Sequence, residues 1–67
     1  MTRYLDRQGR VLFVNPANGG SWGVFYRMPN GSLRRVKNEQ LPVCGTEDAA
    51  QRCLDGWAKA RKLRVAP

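Results

Sequence analysis

The first half of the chain falls into short β-branched and aromatic runs separated by turn residues, and the second half changes to a helical spacing. Arg10-Val11-Leu12-Phe13-Val14 is a short β-branched and apolar run, closed by Asn15-Pro16 and then Asn18-Gly19-Gly20. Ser21 to Met28 is a second run, rich in aromatic and β-branched residues. Met28-Pro29-Asn30-Gly31-Ser32 follows as a hairpin turn, because Asn and Gly tolerate the positive φ that tight turns demand. Leu33-Arg34-Arg35-Val36-Lys37 reads as the third strand. These runs predict a meander, a three-stranded antiparallel sheet. Residues 1–9 carry no sustained period and end in a Gln8-Gly9 turn, so they are expected to form a weakly ordered start.

Asn38 to Gly45 is a connector holding Pro42 and Gly45. Thr46 then supplies an N-cap, and Glu47 and Asp48 face the positive end of a helix dipole. Ala50, Cys53, Leu54 and Trp57, followed by Ala58 or Ala60, recur at the 3, 4 and 7 spacings of one helical face. The other face carries Asp48, Arg52, Asp55, Lys59 and Lys62, with Asp48–Arg52 and Asp55–Lys59 in the favourable i,i+4 order. A helix is expected over 47–62 and a tail over 63–67. The chain is therefore read as one α+β domain, residues 1–67, with β-β-β-α order. At 1.5 Å per residue the helix is about 24 Å long, enough to cover one face of the sheet and leave the other open.

The open face matters most. In the second strand Trp22, Val24, Tyr26 and Met28 point one way and Gly23, Phe25 and Arg27 the other. The first set is bulkier and is assigned to the helix side. A two-residue Asn30-Gly31 turn places Arg34 across from Arg27 and Val36 across from Phe25. A three-residue loop starting at Pro29 places Arg35 across from Phe25, with Leu33 and Lys37 on the same face. Sequence leaves both registers open, and each puts at least one of Arg34 and Arg35 beside Arg27.

Composition narrows the chemistry. The 67 residues include 12 Lys+Arg, 5 Asp+Glu and no His, a formal net charge of +7 with a pI near 10.5. No imidazole is available as a general base or a metal ligand. Asp6, Glu39, Glu47, Asp48 and Asp55 are the carboxylates, and the last three are explained by the helix start and its ion pairs. Ser21, Ser32 and Cys44 lack a neighbouring base, and Trp57 reads as core at its helical spacing. An enzyme is not expected, nor a cofactor. Cys44 and Cys53 are too few for a zinc site, so no metal is expected. A disulfide between them requires Cys44 to sit beside the first turns of the helix that holds Cys53. No apolar run approaches the roughly 20 residues of a membrane-spanning helix, and the polar start lacks the centre of a signal peptide. A cytoplasmic monomer with no membrane partner is expected, nucleoid-associated if it binds DNA. The excess positive charge points to a polyanion, nucleic acid first. Arg10, Phe25, Arg27, Arg34, Arg35 and Lys37 are the candidate binding residues on the sheet.

Gly20-Ser21-Trp22-Gly23-Val24-Phe25-Tyr26-Arg27, the turn at Asn30-Gly31, Arg34-Arg35 and then Thr46-Glu47-Asp48-Ala49-Ala50 resemble the arm-type DNA-binding domain of phage and transposon integrases. The plant ethylene-response-factor domain shares that architecture. The resemblance spans roughly residues 10 to 62 and implies a three-stranded sheet entering the DNA major groove. Arg27 would face DNA from the second strand, with Arg34 and Arg35 in the basic positions after the turn. Trp22 would pack beneath the sheet, and Ala50 with Leu54 behind it. Three features depart from the pattern: Phe25 in place of a polar residue, a longer 36–45 bridge, and one Arg on the first strand. The chain carries no recombinase catalytic domain. The expected function is double-stranded DNA binding through the open sheet face, with a phage or mobile-element origin. The alternative is a protein-interaction module docking through that face or through the 38–45 connector. RNA binding is a third reading.

Overall fold

The computed structural model describes residues 2–66. Its elements follow in the order β1 (Tyr4–Leu5), β2 (Val11–Pro16), a turn of 3-10 helix (Asn18–Gly20), β3 (Trp22–Arg27), β4 (Leu33–Arg35), α1 (Glu47–Ala60) and β5 (Arg64–Val65). All strand pairs are antiparallel, in the order β4-β3-β2-β1-β5. The expected α+β architecture is present, but the sheet has five strands rather than three. The additional strands lie where a weakly ordered start and a tail were expected. Tyr4 pairs with both Leu12 and Val65, and Leu5 with Val11 and Arg64. Two-residue strands have no period to read, and β1 meets β5 only because the chain returns from the helix to its beginning.

The helix starts as its sequence dictates. Thr46 Oγ1 accepts the Ala49 N–H at 3.1 Å, satisfying one of the donors left free in the first turn. It ends at Ala60, two residues earlier than expected, because Lys62 turns left-handed at φ 55°. The Leu63 N–H reaches the Ala58 carbonyl at 3.0 Å and the Lys62 N–H the Lys59 carbonyl at 3.2 Å, the two bonds of a Schellman stop. That reversal sends Leu63 against the core and Arg64–Val65 onto β1.

Ala50, Leu54 and Ala58 are fully buried along one line of the helix, and Ala50 and Leu54 pack in one cluster with Leu12, Val14 and Val24 of the central strands. The expected i,i+4 pairs do not form: neither Asp48–Arg52 nor Asp55–Lys59 closes to a salt bridge. Asp55 instead turns toward the sheet, where its Oδ1 accepts from the Tyr4 hydroxyl at 2.6 Å and from Gln51 Nε2 at 2.8 Å. A carboxylate accepting a buried-side phenol gains more than one solvated beside a lysine. The bond to Asp55, with burial second, raises the Tyr4 pKa.

The connector is also more structured than its composition suggests. Leu41 is buried at 2% exposure, so it belongs to the core and is removed from any docking surface on 38–45. Asn38 folds this segment, its Oδ1 accepting from the Gln40 N–H and its carbonyl from the Leu41 N–H, both at 2.9 Å. Cys44 then bridges Trp22 through two backbone bonds of 2.7 and 2.8 Å. This brings its Sγ within 4.0 Å of Cys53 Sγ, both residues being free thiols. Burial, then the neighbouring Cys53 thiol, pushes the Cys44 pKa up.

Two measurements check these features. Lys62→Gly removes the left-handed strain and is expected to raise stability by about 1 kcal/mol in urea unfolding. Glutathione disulfide at mildly alkaline pH is expected to take two electrons and two protons from Cys44 and Cys53, leaving an intramolecular disulfide and two glutathione thiols. The oxidised chain should be two hydrogens lighter by mass and about 2–3 kcal/mol more stable, as closing a loop of about ten residues implies.

Candidate nucleic-acid interface

The β3–β4 hairpin decides which cations share a face. The Gly31 N–H donates to the Met28 carbonyl at 2.9 Å, and the Met28 N–H to the Ser32 carbonyl at 2.8 Å. Gly31 has φ +92°, where a glycine is strongly favoured. This is the three-residue loop, and it pairs Phe25 with Arg35, Tyr26 with Arg34 and Arg27 with Leu33. Arg35 therefore joins Phe25 and Arg27 on the face away from the helix, and Arg34 lies on the helix side with Tyr26.

The uncovered face has an aromatic centre. Phe13 of β2 lies directly across from Phe25 of β3, both half-buried. Arg27 holds its guanidinium 5.9 Å from the Phe13 ring centroid. Gly23 occupies the next outward position toward the start of β3. A Cβ there would meet Arg35 Cδ at 3.5 Å and the Phe25 ring at 3.8 Å, ordinary contact distances, so both side chains lie against the sheet over Gly23. Arg27 and Arg35, both exposed, thus flank the Phe13–Phe25 pair. A concavity of about 560 Å³ at this end is bordered by Phe25, Arg35, Pro16, Ser21 and Val43.

The other three candidates stand elsewhere. Arg10 and Arg34 line a groove of about 680 Å³ on the helix side, with Tyr26 and Trp57, and Lys37, past the end of β4, borders that groove as Arg35 does. The helix packs over β2 and β3, which leaves the inner side of β4 uncovered. The Arg10 guanidinium sits 4.8 Å from the Tyr26 ring centroid and is held there by Asp6, whose Oδ2 accepts from Arg10 Nε at 2.6 Å. Trp57 is half-buried, with its Nε1 buried and lacking a hydrogen-bond partner. Arg61 covers its ring at 4.5 Å. The expected single basic face is thus two basic surfaces on opposite sides of the sheet. The alternation of β4 divides them, since neighbouring residues of a strand point to opposite faces.

Phe13, Tyr26 and Trp57 were not candidates from sequence. Phe13 was accessible through the period-two pattern of its own run, in which Leu12 and Val14 are the inward pair. Tyr26 and Trp57 carry no such signal, because their spacing reads as core and only the short β4 leaves them at a groove.

Asp6 is the acid that shapes this region. Besides the guanidinium it accepts the Gln8 N–H at 2.9 Å and the Arg10 N–H at 2.8 Å, closing the β1–β2 turn. Burial acts to raise its pKa, and the bonds from the Arg10 backbone and side chain and from Gln8 overcome it, leaving the carboxyl below its ordinary value. Among the described residues no group of three or more His, Cys, Asp or Glu gathers to hold a metal ion. No helix among them is long and apolar enough to cross a membrane.

No protein-family model, curated protein or solved structure matches the chain.

A lowered carboxyl stabilises the fold above the ordinary carboxylate range and ceases to do so as the pH falls through its folded value. Asp6→Asn is therefore expected to cost about 1–3 kcal/mol near neutral pH. In urea unfolding the gap from the parent should narrow as the pH falls below the ordinary carboxylate range and toward the lowered value of the folded carboxyl.

Proposed function

We propose that this protein is a nucleic-acid-binding module that uses the uncovered face of its sheet. The observation that carries this reading is the Phe13–Phe25 cross-strand pair with Arg27 and Arg35 on its flanks. Aromatic rings on a sheet offer a stacking surface to any base, and arginine beside them offers phosphate contacts and further planar stacking. The net charge of +7 gives the long-range attraction that brings a polyanion to the surface. Duplex DNA, the partner the integrase-like motifs imply, would be met by the same two arginines in its major groove.

Leu33 and Val43, 49% and 42% exposed, border this face and favour a second reading, docking of a protein partner there. In that case the arginines would serve mainly to keep the face in solution.

Fluorescence anisotropy with labelled oligonucleotides between about 50 and 200 mM salt separates the two, since phosphate contacts make affinity fall steeply with salt. Arg27→Ala combined with Arg35→Ala is expected to weaken binding at least about tenfold, or 1.4 kcal/mol. Arg52→Ala, on the exposed helix surface, should change it by less than about twofold. Absence of binding at the lower salt, or a flat salt dependence, would remove nucleic acid as the partner.

A further inference from the structure

Three concavities among the described residues are joined through shared residues. Arg35 borders both the sheet-face concavity and the helix-side groove. Arg10 and Trp57 border both that groove and a third hollow of about 450 Å³, which also contains Arg7, Arg61 and Lys62. The path begins at Phe25, crosses the β4 edge at Arg34–Arg35, passes Lys37 and Arg10, and ends at the helix C-terminus. Asp6 is the acidic residue on it, and Arg10 already holds its carboxylate. β4 itself is three residues long and pairs on one side with β3, so the other edge of its backbone is unpaired by the sheet.

We infer that the occupant of this path is a single strand of nucleic acid, which stacks on the sheet face, turns round the β4 edge and enters the helix-side groove against Tyr26 and Trp57. This rests on the nucleic-acid reading above and narrows it. The physical reason is curvature. The molecule measures 29 × 26 × 21 Å, and the two basic surfaces lie on opposite sides of one sheet. Duplex DNA has a persistence length of about 500 Å, and bending a 20–30 bp site by 40–90° already costs on the order of 1–6 kcal/mol. Half a turn around a body of this size is beyond it. A duplex laid on the sheet face would meet Arg27 and Arg35 and leave Arg10, Arg34 and the cations at the helix C-terminus unused, whereas a single strand has the flexibility to reach both sides and unpaired bases to stack at each. Arg10 above Tyr26 and Arg61 above Trp57 show that each of these rings already accepts a planar cation on one face.

The test uses the whole chain with labelled oligothymidylates of 4, 8, 12 and 16 nucleotides and a 16-base-pair duplex. Affinity is expected to rise with length beyond four nucleotides and then level off, with the 16-mer bound at least about tenfold more tightly than the duplex at equal salt. Arg34→Ala combined with Lys37→Ala, at two exposed positions, should lower the 16-mer salt slope by about 1.4, at about 0.7 per lost phosphate contact, and leave the 4-mer unchanged. Phe13→Ser with Phe25→Ser should weaken both lengths. Circular dichroism melting establishes that each variant is folded, and a folded Phe25→Ser single variant replaces the double if the latter is not.

Equal or tighter duplex binding overturns the single-strand path. So does an Arg34/Lys37 variant that binds the 16-mer with unaltered slope; if the Phe variants still lose binding, the sheet-face reading stands without the wrap. Absence of binding to every oligonucleotide removes both.

Discussion

A single helix closes the core of a five-stranded sheet, and the stripe Ala50, Leu54, Ala58 is what allows it to do so. Ala50, small and fully buried, lets the helix backbone approach the sheet, and Leu54 packs beside it with Leu12, Val14 and Val24. A domain of this size buries only about 60% of the surface its unfolded chain exposes, so one well-filled layer must carry most of the stabilisation. Asymmetry follows directly. With the apolar supply spent on one side, the other side keeps Phe13 and Phe25 half-exposed, and the ends of the sheet beyond the helix stay open as grooves.

Charge is distributed in keeping with that asymmetry. Glu47 and Asp48 sit at the helix N-terminus, where the dipole favours them, and Asp55 is drawn inward by Tyr4 and Gln51. The charged side chains of the hairpin and the helix C-terminus are cationic, and Asp6 acts nearby as a positioner of Arg10 rather than as a general neutraliser. Arg10 is correspondingly less a free phosphate contact than a wall shared by two hollows, stacked on Tyr26 and fixed from behind.

Strong local signals were readable in advance. Thr46 as N-cap, the helical face of Ala50, Leu54 and Trp57, the inward set Trp22, Val24 and Tyr26, and the outward Phe25 and Arg27 all follow from periods of 3.6 and 2 or from cap chemistry. What escaped had no local signal. β1 and β5 are two residues each and exist through pairing across almost the whole chain. Leu41 lies in a stretch with no period, and its burial depends on Asn38 folding the connector beneath the sheet. Arg10 and Arg34 looked equivalent to Arg27 because charge counting ignores which side of the sheet a residue occupies.

The elements from β2 to α1, the helix-facing side of β3 and a surplus of cations beside an aromatic hairpin are encoded in neighbouring residues. Long-range packing supplies the rest. The Gly31 turn set the register that sends Arg35 to one side and Arg34 to the other, a choice that a one-residue slip would reverse. The left-handed Lys62 returned the chain to β1 and ended the helix early. The helix position over β2 and β3 left β4 as a bare edge, dividing the basic residues between two surfaces. Each of these depends on what distant residues place nearby, which no local pattern records.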